Sequence, residues 1–258
     1  MEEELLKVEN LWSGYKETNI LKGINLVIKR GEFWGVAGPN GAGKTTLLKS
    51  ITKILSPKRG KIFFKGKNIA RMDARKLAQK VAVVPQFSIF WLSFTVKDFI
   101  LLGRIPYLPR FYLERREDYE AVEEAMELTG TTHLQERRIN ELSGGEKQKV
   151  VIARSLAQKP EFLLLDEPVS HLDIKHQLEI LNLIEKLNQK EKVTILMISH
   201  DLNLTSHYVS KLILMKEGKI FARGTPQEVI TEDNIEKVYE IKVKVSSNGR
   251  KNPVISLW

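Results

Sequence analysis

The sequence predicts an α/β protein with a mixed-sheet core, an antiparallel β subdomain at its amino end and a helical subdomain inserted in the middle. Three observations predict it. Short, nearly continuous apolar runs at FWGVAG (33–38), FLLLDEP (162–168) and VTILMISH (193–200) have the texture of strands buried on both faces. Segments with a helical apolar face, TTLLKSITKIL (45–55) and HQLEILNLIEKLNQK (176–190), alternate with them. Between Gln86 and about residue 155 the pattern turns to helical periodicity.

LLKVENL (5–11) and INLVIKRGE (24–32) alternate like edge strands, with turns expected at Ser13-Gly14 and Arg30-Gly31. KIFFKGKN (61–68) reads as a hairpin and VAVVPQ (81–86) as a buried strand. DFILLGRI (98–105) and EDYEAVEEAMELTG (117–130) read as helices, the second led by acidic residues with Tyr119, Val122 and Met126 on one face. KLILMKEGKIFARG (211–224) is a hairpin closed at Glu217-Gly218, and the tail from Ile241 is one more. No internal repeat or low-complexity linker interrupts this order. The expected division is a core of 1–86 and 156–230 carrying the β subdomain, a helical subdomain at 87–155 and a C-terminal extension at 231–258.

Composition bounds the partners. The chain has 258 residues, 42% of them hydrophobic, with 41 Lys plus Arg against 32 Asp plus Glu and a formal charge of +9. Such a chain can build a core, which excludes disorder. Without cysteine there is no disulfide framework, thiol nucleophile or zinc ribbon, in keeping with a reducing compartment. MEEELLKVEN is acidic where a secretory signal is basic and then apolar. The most apolar stretch, Val81 to Gly103, is broken by Pro85, Gln86, Lys97 and Asp98, short of the ~20 residues needed to cross hydrocarbon. The positive charge fits a solvated surface, an anionic lipid face or a nucleic-acid groove, and composition does not choose among them.

Chemistry is concentrated in a few strings. Gly38-Pro39-Asn40-Gly41-Ala42-Gly43-Lys44-Thr45, followed by Thr46, fits G-x-x-x-x-G-K-[ST] between an apolar strand and a helix. Glycines let backbone N–H groups turn around a phosphate and the helix start adds positive dipole. Lys44 supplies a cation to the β and γ oxygens, and the Thr45 hydroxyl a ligand for magnesium. At the end of the next core strand, Asp166 suits the metal and Glu167 the attacking water, a costly pair of adjacent carboxylates unless they have such a role. The five histidines show no i, i+4 pair, so no transition-metal site is expected.

Leu142-Ser143-Gly144-Gly145-Glu146, opening the helical run KQKVVIARSLAQ, resembles the signature of ATP-binding-cassette ATPases, with Glu146 where that family more often has glutamine. The resemblance spans nearly the whole chain, with its motifs in the family's order. It implies a P-loop NTPase core, ATP and Mg2+ as cofactors, and a homodimer in which each ATP lies between one P-loop and the partner's signature. It further implies Tyr15 stacked on adenine, and Gln86 in a glutamine loop that joins Thr45 and Asp166 at magnesium. Glu167, His200 and Gln86 are implied as the catalytic set, with Asp173 in a D-loop (169–173) that couples the two sites. Val169 stands where the family usually has a hydroxyl.

Phe87, Phe90 and Trp91 come directly after Gln86 on the segment that, in this family's transporters, receives the membrane subunit. Packing on a buried helix face is the competing reading. GRIPYLPRF (103–111), EPVSHLDIKHQLEIL (167–181) and SHDLNLTSHY (199–208) look like the ATPases of importers for iron(III) chelates, siderophores or haem. Importers of vitamin B12 and of molybdate or tungstate share this look. The resemblance thereby implies a peripheral subunit on the cytoplasmic face of the inner membrane, with permease subunits, an indirectly linked substrate-binding protein and no nucleic acid as partners. The alternatives are an exporter ATPase or a soluble cassette outside transport.

Overall fold

The structure is a computed structural model that describes residues 3–86, 94–108, 114–247 and 252–256. The chain divides into two compact units, residues 1–72 with 194–258 and residues 73–193.

The first unit opens with β1 (Glu4–Ser13), β2 (Leu21–Lys29), β3 (Phe33–Ala37), α1 (Lys44–Ile51), β4 (Arg59–Phe64) and β5 (Lys67–Asn68). Strand β1 pairs antiparallel with both β2 and β4, and β4 with β5, giving the order β2-β1-β4-β5 expected of the amino-terminal β subdomain. Its alternation places Leu6, Val8, Leu11, Ile24, Leu26, Ile28, Ile62 and Phe64 in the core. The β4–β5 hairpin turns at Lys65 (φ 49°) and Gly66 (φ 72°), two left-handed residues in succession, as a turn that matches strand twist requires.

In the second unit lie α2 (Ala74–Ala78), β6 (Val81–Val84), α3 (Val96–Leu101), α4 (Arg116–Thr129), α5 (Gly144–Ala157), β7 (Phe162–Asp166) and α6 (Ile174–Gln189). Strands β6 and β7 run parallel, Val81 opposite Phe162 through Val84 opposite Leu165. The acidic start of α4 is used structurally. Asp118 accepts from the Arg115 backbone at 3.0 Å, capping the helix, and from Arg104 Nε at 2.8 Å. Arg104 and Asp118 are both buried; Arg104 also donates to the Ala157 carbonyl and stacks on Tyr107. Burial pushes the Asp118 carboxyl up, but these hydrogen bonds and the arginine charge outweigh it and hold the group below its ordinary value. Through Arg104 the pair ties the start of α4 to the end of α5.

The chain then returns to the first unit through β8 (Thr194–Ile198), α7 (Leu202–Ser206), β9 (Lys211–Lys216), β10 (Lys219–Gly224), α8 (Pro226–Val229), α9 (Glu232–Tyr239), β11 (Lys244–Ser247) and β12 (Pro253–Ser256). Strand β3 lies parallel to β8 on one side and β9 on the other, and β10 closes antiparallel on β9. The core sheet is therefore mixed. All five residues of β3 and of β8 are buried, which explains why their apolar runs are continuous rather than alternating. The β9–β10 hairpin turns at Glu217 (φ 49°) and Gly218 (φ 80°), where the sequence places it, and β11 pairs with β12 as the tail's hairpin.

Candidate functional site

In the first unit the loop from Gly38 to Gly43 joins buried β3 to α1. Gly43 caps the helix in the left-handed region (φ 99°), and no side chain caps it. The helix start thus presents its N–H end and dipole without an acidic residue in its first turn. Lys44 is 6% exposed and its Nζ donates to the Gly38 carbonyl at 2.7 Å and the Pro39 carbonyl at 3.0 Å. The ammonium is folded back across the loop that it closes. Thr45 is exposed on the first turn while Thr46 is buried, so the hydroxyl the sequence assigns to a metal faces outward. Asn40 and Gly41 are exposed at the loop's crest, and Ala42 is buried.

Tyr15 is 48% exposed, its hydroxyl 3.2 Å from Lys49 Nζ near the end of α1, with the ammonium also over the ring at 5.7 Å. An exposed aromatic face braced by α1 is available for stacking. His200 is exposed between β8 and α7, and Ser199 N bonds to the Val36 carbonyl, tying the histidine's segment to the strand that feeds the loop. Beneath the loop, burial pushes the Tyr239 phenol of α9 up to about 12 against the opposing pull of the Gly38 backbone N–H.

In the second unit, Asp166 ends β7 and is buried, and the next residue turns sharply: Glu167 is left-handed (φ 53°). A non-glycine residue held there costs on the order of 1 kcal/mol, a strain typical of functional positions. Ser170 stabilises the turn, its N–H and hydroxyl both donating to the Glu167 carbonyl. From this turn the Glu167 carboxylate meets Gln86, whose Nε2 donates to Oε2 at 2.7 Å. The structure therefore brings together two of the three residues implied as catalytic.

The signature forms the start of α5. Ser143 Oγ accepts from Glu146 N at 3.3 Å, while the Glu146 carboxylate accepts from Ser143 N and Oγ, each at 2.8 Å. These bonds, chiefly the backbone one, hold the Glu146 carboxyl below its usual range, helped by Arg137 at 3.8 Å. Glutamate in place of the more common glutamine thus serves as one half of a reciprocal helix cap. Leu142 and Gly145 are buried, and Ser143 and Gly144 are exposed. Val169 is buried too, which suits an apolar residue where a hydroxyl is usual.

Asp173 caps α6 by accepting from His176 N at 2.9 Å, and its other oxygen lies 2.8 Å from His176 Nδ1. Both contacts hold its carboxyl low, the backbone bond most. The His176 ring lies against Gly145 so closely that a Cβ there would stand 2.3 Å from Cδ2. The second signature glycine is therefore required by a side chain of α6. Sequence reasoning missed His176, since only the fold brings α6 to α5. Phe87, Phe90 and Trp91 lie outside the described residues.

The comparisons with known proteins identify the family and the fold. The family described as ABC transporter matches residues 21–170. The chain belongs to that family. The ferric enterobactin transport ATP-binding protein FepC of Escherichia coli (strain K12) is 37% identical over 240 residues, 93% of this chain and 89% of that one. The ABC transporter ATP-binding protein MJ0089 of Methanocaldococcus jannaschii is 42% identical over 251 residues, 97% of each chain. Among solved structures, an ABC transporter described as of metal-chelate type, in an inward-facing conformation, superposes with a TM-score of 0.85 at 28% identity, covering 98% of both chains. The ADP conformation of MJ1267, an ATP-binding cassette of an ABC transporter, gives a TM-score of 0.80 at 27% identity over 92% of this chain and 97% of that one. The fold is thus an ABC ATPase cassette. No helix among the described residues is long and apolar enough to cross a membrane.

Proposed function

We propose that the chain is the ATP-hydrolysing subunit of an importer for iron(III) chelates, siderophores or haem, working as a homodimer on the cytoplasmic face of the inner membrane. The observation that carries the ATPase reading is the Gln86–Glu167 hydrogen bond. It pairs the carboxylate suited to orient and deprotonate water with the residue that begins the segment implied to meet the permease, so turnover and docking share one contact. The cargo is inferred from relatives named for import of ferric enterobactin, iron(3+)-hydroxamate and petrobactin, at 36–37% identity over 93–98% of this chain.

In this reading the Gly38–Thr46 loop binds the triphosphate, Lys44 exchanging its carbonyl partners for the β and γ oxygens, and Tyr15 carries the adenine. The donor set suits a hard divalent cation: the Thr45 hydroxyl, the Asp166 carboxylate and Gln86 Oε1, which is left over when Nε2 serves Glu167. Magnesium, when bound, neutralises charge on the β and γ phosphates. Glu167 takes a proton from water as the oxygen attacks the γ-phosphorus, the bond from that phosphorus to the β–γ bridging oxygen breaks to release ADP, and His200 contacts the transferred phosphoryl group. Ser143 and Gly144 serve the partner's nucleotide, and Asp173 links the two sites. ATP closes the dimer and loss of γ-phosphate reopens it, because the closed state alone holds that phosphate from both sides. The helical subdomain (87–155) carries the signature and the docking segment with Phe87, Phe90 and Trp91, and the α/β core (1–86 and 156–230) binds the nucleotide.

Co-expression with candidate polytopic permeases, and then reconstitution in liposomes, tests this. Uptake of a ferric chelate that depends on ATP and on Glu167 supports it. Uptake of vitamin B12 or an oxyanion instead would redirect the cargo, and failure to co-purify with any membrane protein would remove the transport role.

A further inference from the structure

The segment that carries His200 is held from two sides, one of them by the chain's own C-terminal hairpin. Helix α7 has five residues, too few to persist without tertiary support. Leu202, Thr205 and Ser206 are buried, and Thr205 meets β3 where Gly35 leaves room: a Cβ at Gly35 would stand 3.0 Å from Thr205 Cγ2. Its other face carries Asn203. That side chain donates through Nδ2 to the Ile255 carbonyl at 2.9 Å and accepts from Ile255 N through Oδ1 at 2.7 Å. Ser206 Oγ, which donates to the Asn203 carbonyl at 2.9 Å, also lies 3.3 Å from the Pro253 carbonyl. Strand β12 is thus bonded to α7 almost as one strand is to another, with a single amide supplying both donor and acceptor. Across the hairpin β11 is anchored by Val245, the residue paired with Ile255, whose N donates to Glu232 of α9 at 3.0 Å.

The loop with His200 is continuous with this helix. Asp201 Oδ1 caps α7 by accepting from Leu204 N at 2.8 Å, and Asp201 N donates to Ser199 Oγ at 3.2 Å. A shift of α7 therefore displaces Asp201 and His200 together. We infer that the C-terminal hairpin is a clamp on the switch segment, and that Asn203, in its bond to Ile255, is a positioning residue for His200. This rests on the reading of His200 as the γ-phosphate contact. The tail gains a role that nothing in its own sequence suggests, and the chain gains a point where an event at its C-terminal hairpin reaches the nucleotide.

The test uses the full chain with Asn203→Ala and, independently, Ile255→Pro, which deletes the N–H on the other side of the same contact. Hydrogen exchange of amides 199–206 is read with and without ATP, beside ADP affinity, kcat and KM. Faster exchange at 199–206 in both variants, ADP affinity within about twofold and kcat reduced about tenfold or more with KM nearly constant are expected. Wild-type exchange at 199–206 in either folded variant overturns the clamp, as does a loss of ADP affinity that parallels the loss of kcat. The exchange readout needs no hydrolysis, so a wild-type chain without ATPase activity would reject the functional reading while the clamp is still decided.

Discussion

The two helix starts that the sequence singles out as anion sites are built in opposite ways. Helix α1 begins after Gly43 with no side-chain cap and no acid in its first turn, and its first residue is the cation Lys44. Helix α5 begins at Ser143 with a full reciprocal cap and carries its own anion, Glu146. A helix end without an anion of its own, beside a buried ammonium, is prepared for a polyphosphate; one that already holds a carboxylate gains less from binding another. The first should bind nucleotide in the isolated subunit. The second should engage one only when a partner copy delivers it in place.

Replacement of Lys44 by alanine tests the first half and has the largest expected effect, a loss of ATP and ADP affinity of about a hundredfold or more in titration calorimetry, the fold being retained. Ser143→Ala should leave that affinity within about twofold; an equal loss in the two variants would erase the distinction. Gly145→Ala probes the fit of the second helix start. The new Cβ meets the His176 ring, and overpacking of this kind costs about 1–3 kcal/mol, or roughly 2–12 °C in thermal midpoint for a chain of this size. A second change, His176→Ala, should recover most of it. The cap itself is worth about 1 kcal/mol, so Ser143→Ala should lower the midpoint by about 2–4 °C.

The smallest effect lies in pH. The Glu146 carboxyl is held below its ordinary value in the folded chain by Ser143. Its contribution is therefore present above the unfolded carboxylate value of about 4 and lost as pH falls through the lower folded value. Glu146→Gln should flatten the acid side of a urea-stability profile below about pH 4 and leave the profile above about pH 5 parallel to wild type. An unchanged acid limb would mean that the charge on Glu146 adds no stability to the cap.

The difference between the two sites is also a difference in what can be read from sequence. The phosphate loop is contiguous: strand, glycines, lysine and helix lie within about 20 residues, and each residue type is dictated by local backbone or charge. The strand ends with Asp166 and Glu167 are legible for the same reason, as are the hairpins at Glu217-Gly218 and in the tail. At the signature, the S-x-x-E spacing of Ser143 and Glu146 is that of a capping box, a local cue to the structural use of the glutamate. His176 against Gly145 and the bond of Asn203 to Ile255 have no such cue. They depend on which helix the fold brings alongside, over separations of up to 52 residues, and a pattern along the chain does not carry that information.

The account turns on Glu167 as the residue that ends the ATP-bound state. Sedimentation equilibrium of Glu167→Gln with and without ATP tests it most directly. A monomer without nucleotide that becomes a stable dimer with ATP, and fails to do so when Lys44→Ala is added, is the predicted result. A Glu167→Gln chain that hydrolyses ATP at the wild-type rate, or binds ATP and stays monomeric, would contradict it.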